Sequence, residues 1–367
     1  MTTLVTGFPT SFLASRVVRR LLDDPEEVVW CVVQKKGWEE AEAIRADLAP
    51  ARRKRLRFLE GDCASLDLGL SGAELNMLAR EIDRIHHCAA VTYLGAERAL
   101  AERTNLGGAR EILEIAEAAP RLERLVHWST ALVSGDRRGY VLEEELGGGE
   151  CRNVVEETRR RAERIVREAM DHLPITVMRP SIVVGDSVTG EVDRLEGPYL
   201  LVLLMLGAPP DLRMPMPGRG DIPLNLVPID FVVEAGLHIA ADARSLGRTF
   251  HVVDPDPLTA RRVFELIAEA TGRPIPRGYV PTSLATVLMR TPGLERFAHV
   301  PRTFLEQLAT EVVWDDRNTR ELLEGTGISC PAFEDYVERL VEYVRQRQAE
   351  RRTGEIDLGL EAHDVPQ

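Results

Sequence analysis

"VTGFPTSFLASRVV", residues 5–18, decides the fold. Val5 and Thr6 end a short β-branched run that starts at Thr2, and Gly7 breaks it. From Phe12 onward apolar residues recur at helical spacing, so the stretch reads as strand, tight turn, helix. Such a junction lets backbone N–H groups at a helix N-terminus approach an anion, above all a pyrophosphate. Only Gly7 keeps the usual G-x-G-x-x-G spacing. After a one-residue shift, Ser11 and Ala14 stand where glycines are expected, and alanine is tolerated where the helix packs on the strand. Taken alone, an ordinary βα turn explains the stretch equally well.

The alternation continues along the chain. "VVWCVV" (28–33), "RLRFLEGD" (55–62), "IDRIHHCAA" (82–90), "LERLVHWST" (122–130) and "LPITVMRPS" (173–181) read as further strands. Helical patterns over 38–48, 72–81, 95–118 and 154–170 separate them. Continuously apolar strands alternating with helices imply a parallel sheet covered on both faces. The expected fold class is therefore α/β, a Rossmann-type doubly wound sheet with ligands at the carboxyl ends of its strands. Residues 1–185 are assigned to this dinucleotide-binding domain, with 225–255 returning to it. Residues 186–224 and 256–350 form a smaller mixed substrate or lid domain, and 351–367 read as a tail without clear period. Within the smaller part, 227–242, 259–272 and 331–350 read as helices, with Asp230 near the start of the first.

Small and polar residues recur at the predicted strand ends. Asp62 and Cys63 close the third strand, with Asp62 able to accept from an adenine amine. Ala89 and Ala90 follow the fourth, and Thr130 follows the fifth beside Ser129. Pro180, Ser181 and Ile182 follow the sixth. Gln34, Lys35 and Lys36 follow the second, where an acidic residue would favour NAD and cations favour the 2′-phosphate of NADP. The reading leans to NADP, with NAD possible.

These segments together resemble the extended short-chain dehydrogenase/reductase superfamily. Within it they are most similar to the thioester-reductase and fatty-acyl-reductase-like, male-sterility-type NAD-binding branch. "GDCASLDLGLS" (61–71), "STALVSG" (129–135), "RPSIVVGD" (179–186) and Asn105 in "NLGGAREILEIA" (105–116) carry the resemblance, which runs from about residue 3 to about 255. It implies cofactor contacts from Gly7, Thr10, Ser11, Phe12, Leu13 and the strand-end residues above. It implies a hydroxyl at Thr130 that orients a substrate carbonyl. It also implies a Tyr and a Lys four residues apart on the following helix, "NVVEETRRRAERIV" (153–166). Those positions hold Val155 and Arg159.

The missing Tyr removes the usual proton donor, a group worth about 10²–10⁴ in rate. Arg159 keeps a positive charge for ribose hydroxyls but stays protonated and cannot relay a proton; as a plain alternative it is a surface Arg beside Glu163. Tyr140 and Tyr93 are the candidate replacement donors, with His86 and His87 far less suited. The acidic residues of "VLEEELGGGE" (141–150) read as solvated, and Asn153 with Glu156 as a capping box. "GPYLLVLLMLGAPP" (197–210) reads as a lid lining an apolar tunnel or as a core or interface helix.

Bulk properties limit the partners. Net charge is −13 and apolar residues make up 44%, which argues against nucleic acid and for a full core. The cysteines are scattered without CxxC, so neither disulfides nor zinc are expected. No signal peptide or transmembrane run is read, so a cytoplasmic location is expected. Two functions follow. One is a nicotinamide-dependent reductase acting on the carbonyl or acyl-thioester of an apolar substrate, with 154–170 as a candidate homodimer face. The other is a dinucleotide-binding sensor or scaffold without turnover.

Overall fold

The computed structural model describes residues 1–353 other than 94, 208, 210–215, 218–219, 276–277 and 281–310. The main sheet has strands β1 (Thr2–Thr6), β2 (Val28–Val33), β3 (Leu56–Glu60), β4 (Arg84–His87), β5 (Arg124–Trp128), β6 (Ile175–Pro180) and β7 (Thr249–Val252). They are all parallel and lie in the order β7-β6-β5-β4-β1-β2-β3. The order reverses between β1 and β4, which places the ligand crevice of a doubly wound sheet there. Every residue of β5 and of β6 is buried, as expected of strands covered on both faces.

Side-chain alternation splits the strands between two cores. Val5, Val126 and Met178 pack with helices α1 (Phe12–Leu21) and α7 (Ile229–Ala241). Their neighbours Leu4, Leu125 and Val177 pack with α3 (Gly72–Glu81), α4 (Gly108–Ala118) and α5 (Val154–Glu168). Helix α2 (Trp38–Asp47) closes the edge near β2 and contributes Ala41 to the first core. Gly236 lets α7 lie directly on Trp128, since a Cβ there would stand 2.2 Å from the indole Cη2. Trp128 is only 1% exposed and has no room to retreat. Gly236→Ala should therefore lower stability by about 1–3 kcal/mol through overpacking, read as a fall in urea midpoint; an unchanged midpoint would refute this packing.

A separate core joins α6 (Pro198–Gly207), α8 (Ala260–Thr271) and α10 (Phe333–Thr353) through Tyr199, Leu203, Phe264, Ile267, Tyr336 and Val341. The apolar run expected as a lid or a core helix is thus helix α6, with Tyr199, Val202, Leu203 and Met205 buried in this core; residues 208 and 210 lie outside the described residues. Helix α10 runs through residues 351–353, and the remainder of the expected tail lies outside the described residues. Strand residues Val312–Trp314 pair with Gly139–Val141 and pack on Ala131 and Val253. Helix α9 (Arg317–Leu323) sends Leu322 into the core of the main sheet. Residues 312–322 therefore lean on the sheet, although they are distant from it in sequence. Among the described residues no helix is long and apolar enough to cross a membrane.

Candidate active site

The turn after β1 is shaped by backbone needs. Gly7 has φ +91°, and a Cβ there would meet the Ala89 nitrogen at 2.9 Å, so no other residue fits without moving the β4 loop. Thr6 Oγ1 accepts the Ala89 N–H at 3.1 Å, tying the same two loops. Ser11 caps α1, its hydroxyl accepting the Ala14 N–H at 3.3 Å. Ala14 is fully buried against the strands, the close packing expected of that position. The N–H groups of Phe12 and Leu13, first in the helix, have no acceptor among the described residues. Gly7, Ser11, Phe12, Leu13, Gln34, Asp62, Ala89, Ala90 and Thr130 are each part-exposed. They form a rim along the carboxyl ends of β1 to β5.

Other expected contacts are internally engaged. Thr10 is exposed and its hydroxyl turns back to the Gly7 carbonyl at 3.3 Å. Asp62 Oδ1 accepts the Ala64 N–H at 3.0 Å, leaving its second oxygen for a ligand. Cys63 is buried, and that burial pushes its thiol up to about 12. Asn105 is 2% exposed and committed: its Oδ1 accepts the Val91 N–H at 2.8 Å, and its Nδ2 donates to Thr158 Oγ1 at 2.9 Å. Ser181 is buried and donates to Asn225 Oδ1 at 2.6 Å. Pro180 ends β6, and part-exposed Ile182 begins a short strand paired with Leu226–Pro228. Lys35 and Lys36 are exposed and form no ion pair among the described residues. His86 and His87 are both buried; desolvation pulls His86 down to about 3 and His87 well below its usual value, so both are neutral.

Helix α5 carries the positions of the expected dyad. Asn153 caps it, accepting the Glu156 N–H at 2.8 Å. The capping box does not close: Glu156 accepts the Arg152 N–H at 2.9 Å and pairs with the Arg152 guanidinium. Val155 is buried with Val91 and Ala101 in a small apolar cluster. Arg159 is not a surface residue. It is 9% exposed, and Nη2 donates to the Trp128 carbonyl at 2.8 Å. Burial pulls its guanidinium down to about 10, still charged at neutral pH. Its other N–H groups have no acceptor among the described residues. Thr130 Oγ1 accepts the Leu132 N–H at 3.3 Å and reaches the Pro180 carbonyl at 3.4 Å. These long bonds leave the hydroxyl able to turn to a substrate. Tyr140 is 74% exposed on the Gly139–Val141 ladder and is not part of the cluster that holds Val155.

Sequence reasoning missed a buried polar network behind Thr130. Ser129 donates to Glu163 Oε2 at 2.5 Å. Glu163, fully buried, forms an ion pair with Arg179, which is 1% exposed. Arg179 Nη1 also donates to the Glu145 carbonyl at 2.8 Å and to His251 Nε2 at 3.2 Å. His251 Nδ1 donates to the Asp315 carbonyl at 2.7 Å, which fixes the tautomer. Glu143, expected in solvent, is fully buried and accepts from the backbones of His251 at 2.8 Å and Asn318 at 2.6 Å. Burial pushes its carboxyl up to about 7. Two signals were present: Glu163 lies four and eight residues beyond Arg159 and Val155 on one helix face, and Arg179 is the only charge in the strand "ITVMRP".

The male sterility protein family model, an NAD-binding model, matches residues 5–236. A linear gramicidin synthase chain of Brevibacillus parabrevis is 26% identical over 359 residues, covering 91% of this chain and 7% of that protein. The fatty acyl-CoA reductase wat of Drosophila melanogaster is 25% identical over 276 residues, covering 64% of this chain and 53% of that protein. The chain thus spans only part of these curated relatives. The terminal R domain of a myxalamid PKS-NRPS biosynthetic pathway superposes with a TM-score of 0.80 at 26% identity, covering 94% of this chain and 90% of that one.

Proposed function

The chain belongs to the male sterility protein family, a reductase-like NAD(P)-binding family, and from that premise we propose that it reduces the carbonyl of an apolar acyl thioester. The observation that carries this reading is the rim at the switch point, where the unpaired start of α1 and the Thr130 hydroxyl lie on one sheet edge. A dinucleotide would lie along that edge. The N–H groups of Phe12 and Leu13 would hold its pyrophosphate, the free oxygen of Asp62 its adenine amine, and the open N–H groups of Arg159 its ribose. When bound, the nicotinamide supplies a hydride. Thr130 would orient the acyl carbonyl, and the buried walls beside Val155 would exclude water.

Lys35 and Lys36 would receive a 2′-phosphate and favour NADP, with NAD as the alternative. Replacing both by Glu should weaken NADPH at least about tenfold, the scale of one charged hydrogen bond, and spare NADH. Titration of nicotinamide fluorescence reads both. Equal loss of the two, or loss of neither, would refute the assignment.

The burial of Val155 favours a second reading, a dinucleotide-binding sensor without turnover. The same titration, followed by a panel of acyl thioesters and aldehydes, separates them. Oxidation of NADPH supports the reductase, binding without oxidation supports the sensor, and no binding overturns both.

A further inference from the structure

We propose that Tyr93 is the catalytic proton donor that replaces the missing Tyr at Val155; this rests on the reductase reading. Tyr93 is part-buried and packs against the cluster of Val91, Ala101 and Val155. The donor is thus supplied from the β4 loop and not from helix α5, beside the position that α5 leaves empty of chemistry. The loop is firmly held. Asn105 takes both the N–H and, at 3.3 Å, the carbonyl of Val91, and its amide bonds Thr158, one turn from Val155. Asn105 itself lies where Glu102–Gly107 forms a π-helical turn, a distortion common at functional sites. On the other side Arg194, just before α6, lays its guanidinium over the Tyr93 ring, 5.1 Å from the centroid. That contact fixes the ring, and Arg194 lies in sequence between Val192 and Leu195, both buried in the smaller core. Tyr140, the other candidate donor, has none of these contacts.

The step balances as follows. Hydride adds to the thioester carbonyl carbon, and the C=O π pair moves to oxygen. The Tyr93 O–H proton passes to that oxygen, and solvent returns a proton to the phenolate. The C–S bond of the hemithioacetal then breaks, its hydroxyl proton going to sulfur, to give aldehyde and thiol. One thioester, one reduced nicotinamide and one proton are consumed.

The test uses the full chain with Tyr93→Phe and, as a control, Tyr140→Phe. Tyr93→Phe should lower kcat about 10²–10⁴-fold with NADPH affinity unchanged, and Tyr140→Phe should change neither. A second readout needs no turnover. An N-alkyl long-chain amide, an unreactive mimic of the thioester, is titrated calorimetrically into the NADP⁺ complex. Loss of the phenol donor should weaken it about 5–10-fold, the value of one hydrogen bond. Equal kcat, or equal amide affinity, in Tyr93→Phe and wild type would overturn the proposal. A wild type that reduces nothing would overturn the reductase reading and with it the donor role of Tyr93, while the amide arm decides separately whether Tyr93 faces the substrate carbonyl.

Discussion

Glu163→Ala is expected to lower stability by about 3–5 kcal/mol, the cost of leaving one buried charge without its partner. Arg179 would remain 1% exposed, held to the Glu145 carbonyl and His251 but with no carboxylate. Ser129 would lose its acceptor as well. Glu163→Gln keeps the shape and one acceptor and should cost less, about 1–3 kcal/mol. Urea denaturation of both variants checks the order, and a loss below about 1 kcal/mol for the alanine would refute the network as drawn. The same bonds place Ser129, the residue before Thr130, so the alanine variant should also misplace the rim hydroxyl.

Thr130→Val carries the second large effect. If Thr130 donates to the oxygen that gains charge when hydride adds, its loss should cut kcat about 10²–10³-fold, as for one oxyanion donor. NADPH affinity should be unchanged, because the turn at Gly7 and Ser11 proposed to hold the pyrophosphate follows a different strand. Thr130→Ser, which keeps the hydroxyl, should recover most of the rate. A Thr130→Val enzyme with normal kcat would show that the hydroxyl serves only the Leu132 turn it already caps at 3.3 Å.

Much of the sheet was legible because its signal is local. Continuous apolar strands, punctuated by Gly7 and separated by helical periods, give one parallel architecture. The strand-end residues were legible from the same pattern, because ligands of this fold class bind at the carboxyl edge. Helix α5, with Asn153 as its cap, was legible too, and so was the presence of Val155 and Arg159 where the resemblance implies a Tyr and a Lys.

Local pattern alone established the α/β class, the turn at Gly7 and the identity of Val155 and Arg159. What those side chains touch came from long-range packing. It buried Glu143, which by composition belonged in solvent, and paired Glu163 with Arg179 across 16 residues of chain. It turned Arg159 onto the Trp128 carbonyl and brought Tyr93 to the Val155 cluster while leaving Tyr140 outside. The reason is physical. Hydrophobic period and turn chemistry act over a few residues, whereas the partner of a buried charge is set by how helices and loops distant in sequence are packed together.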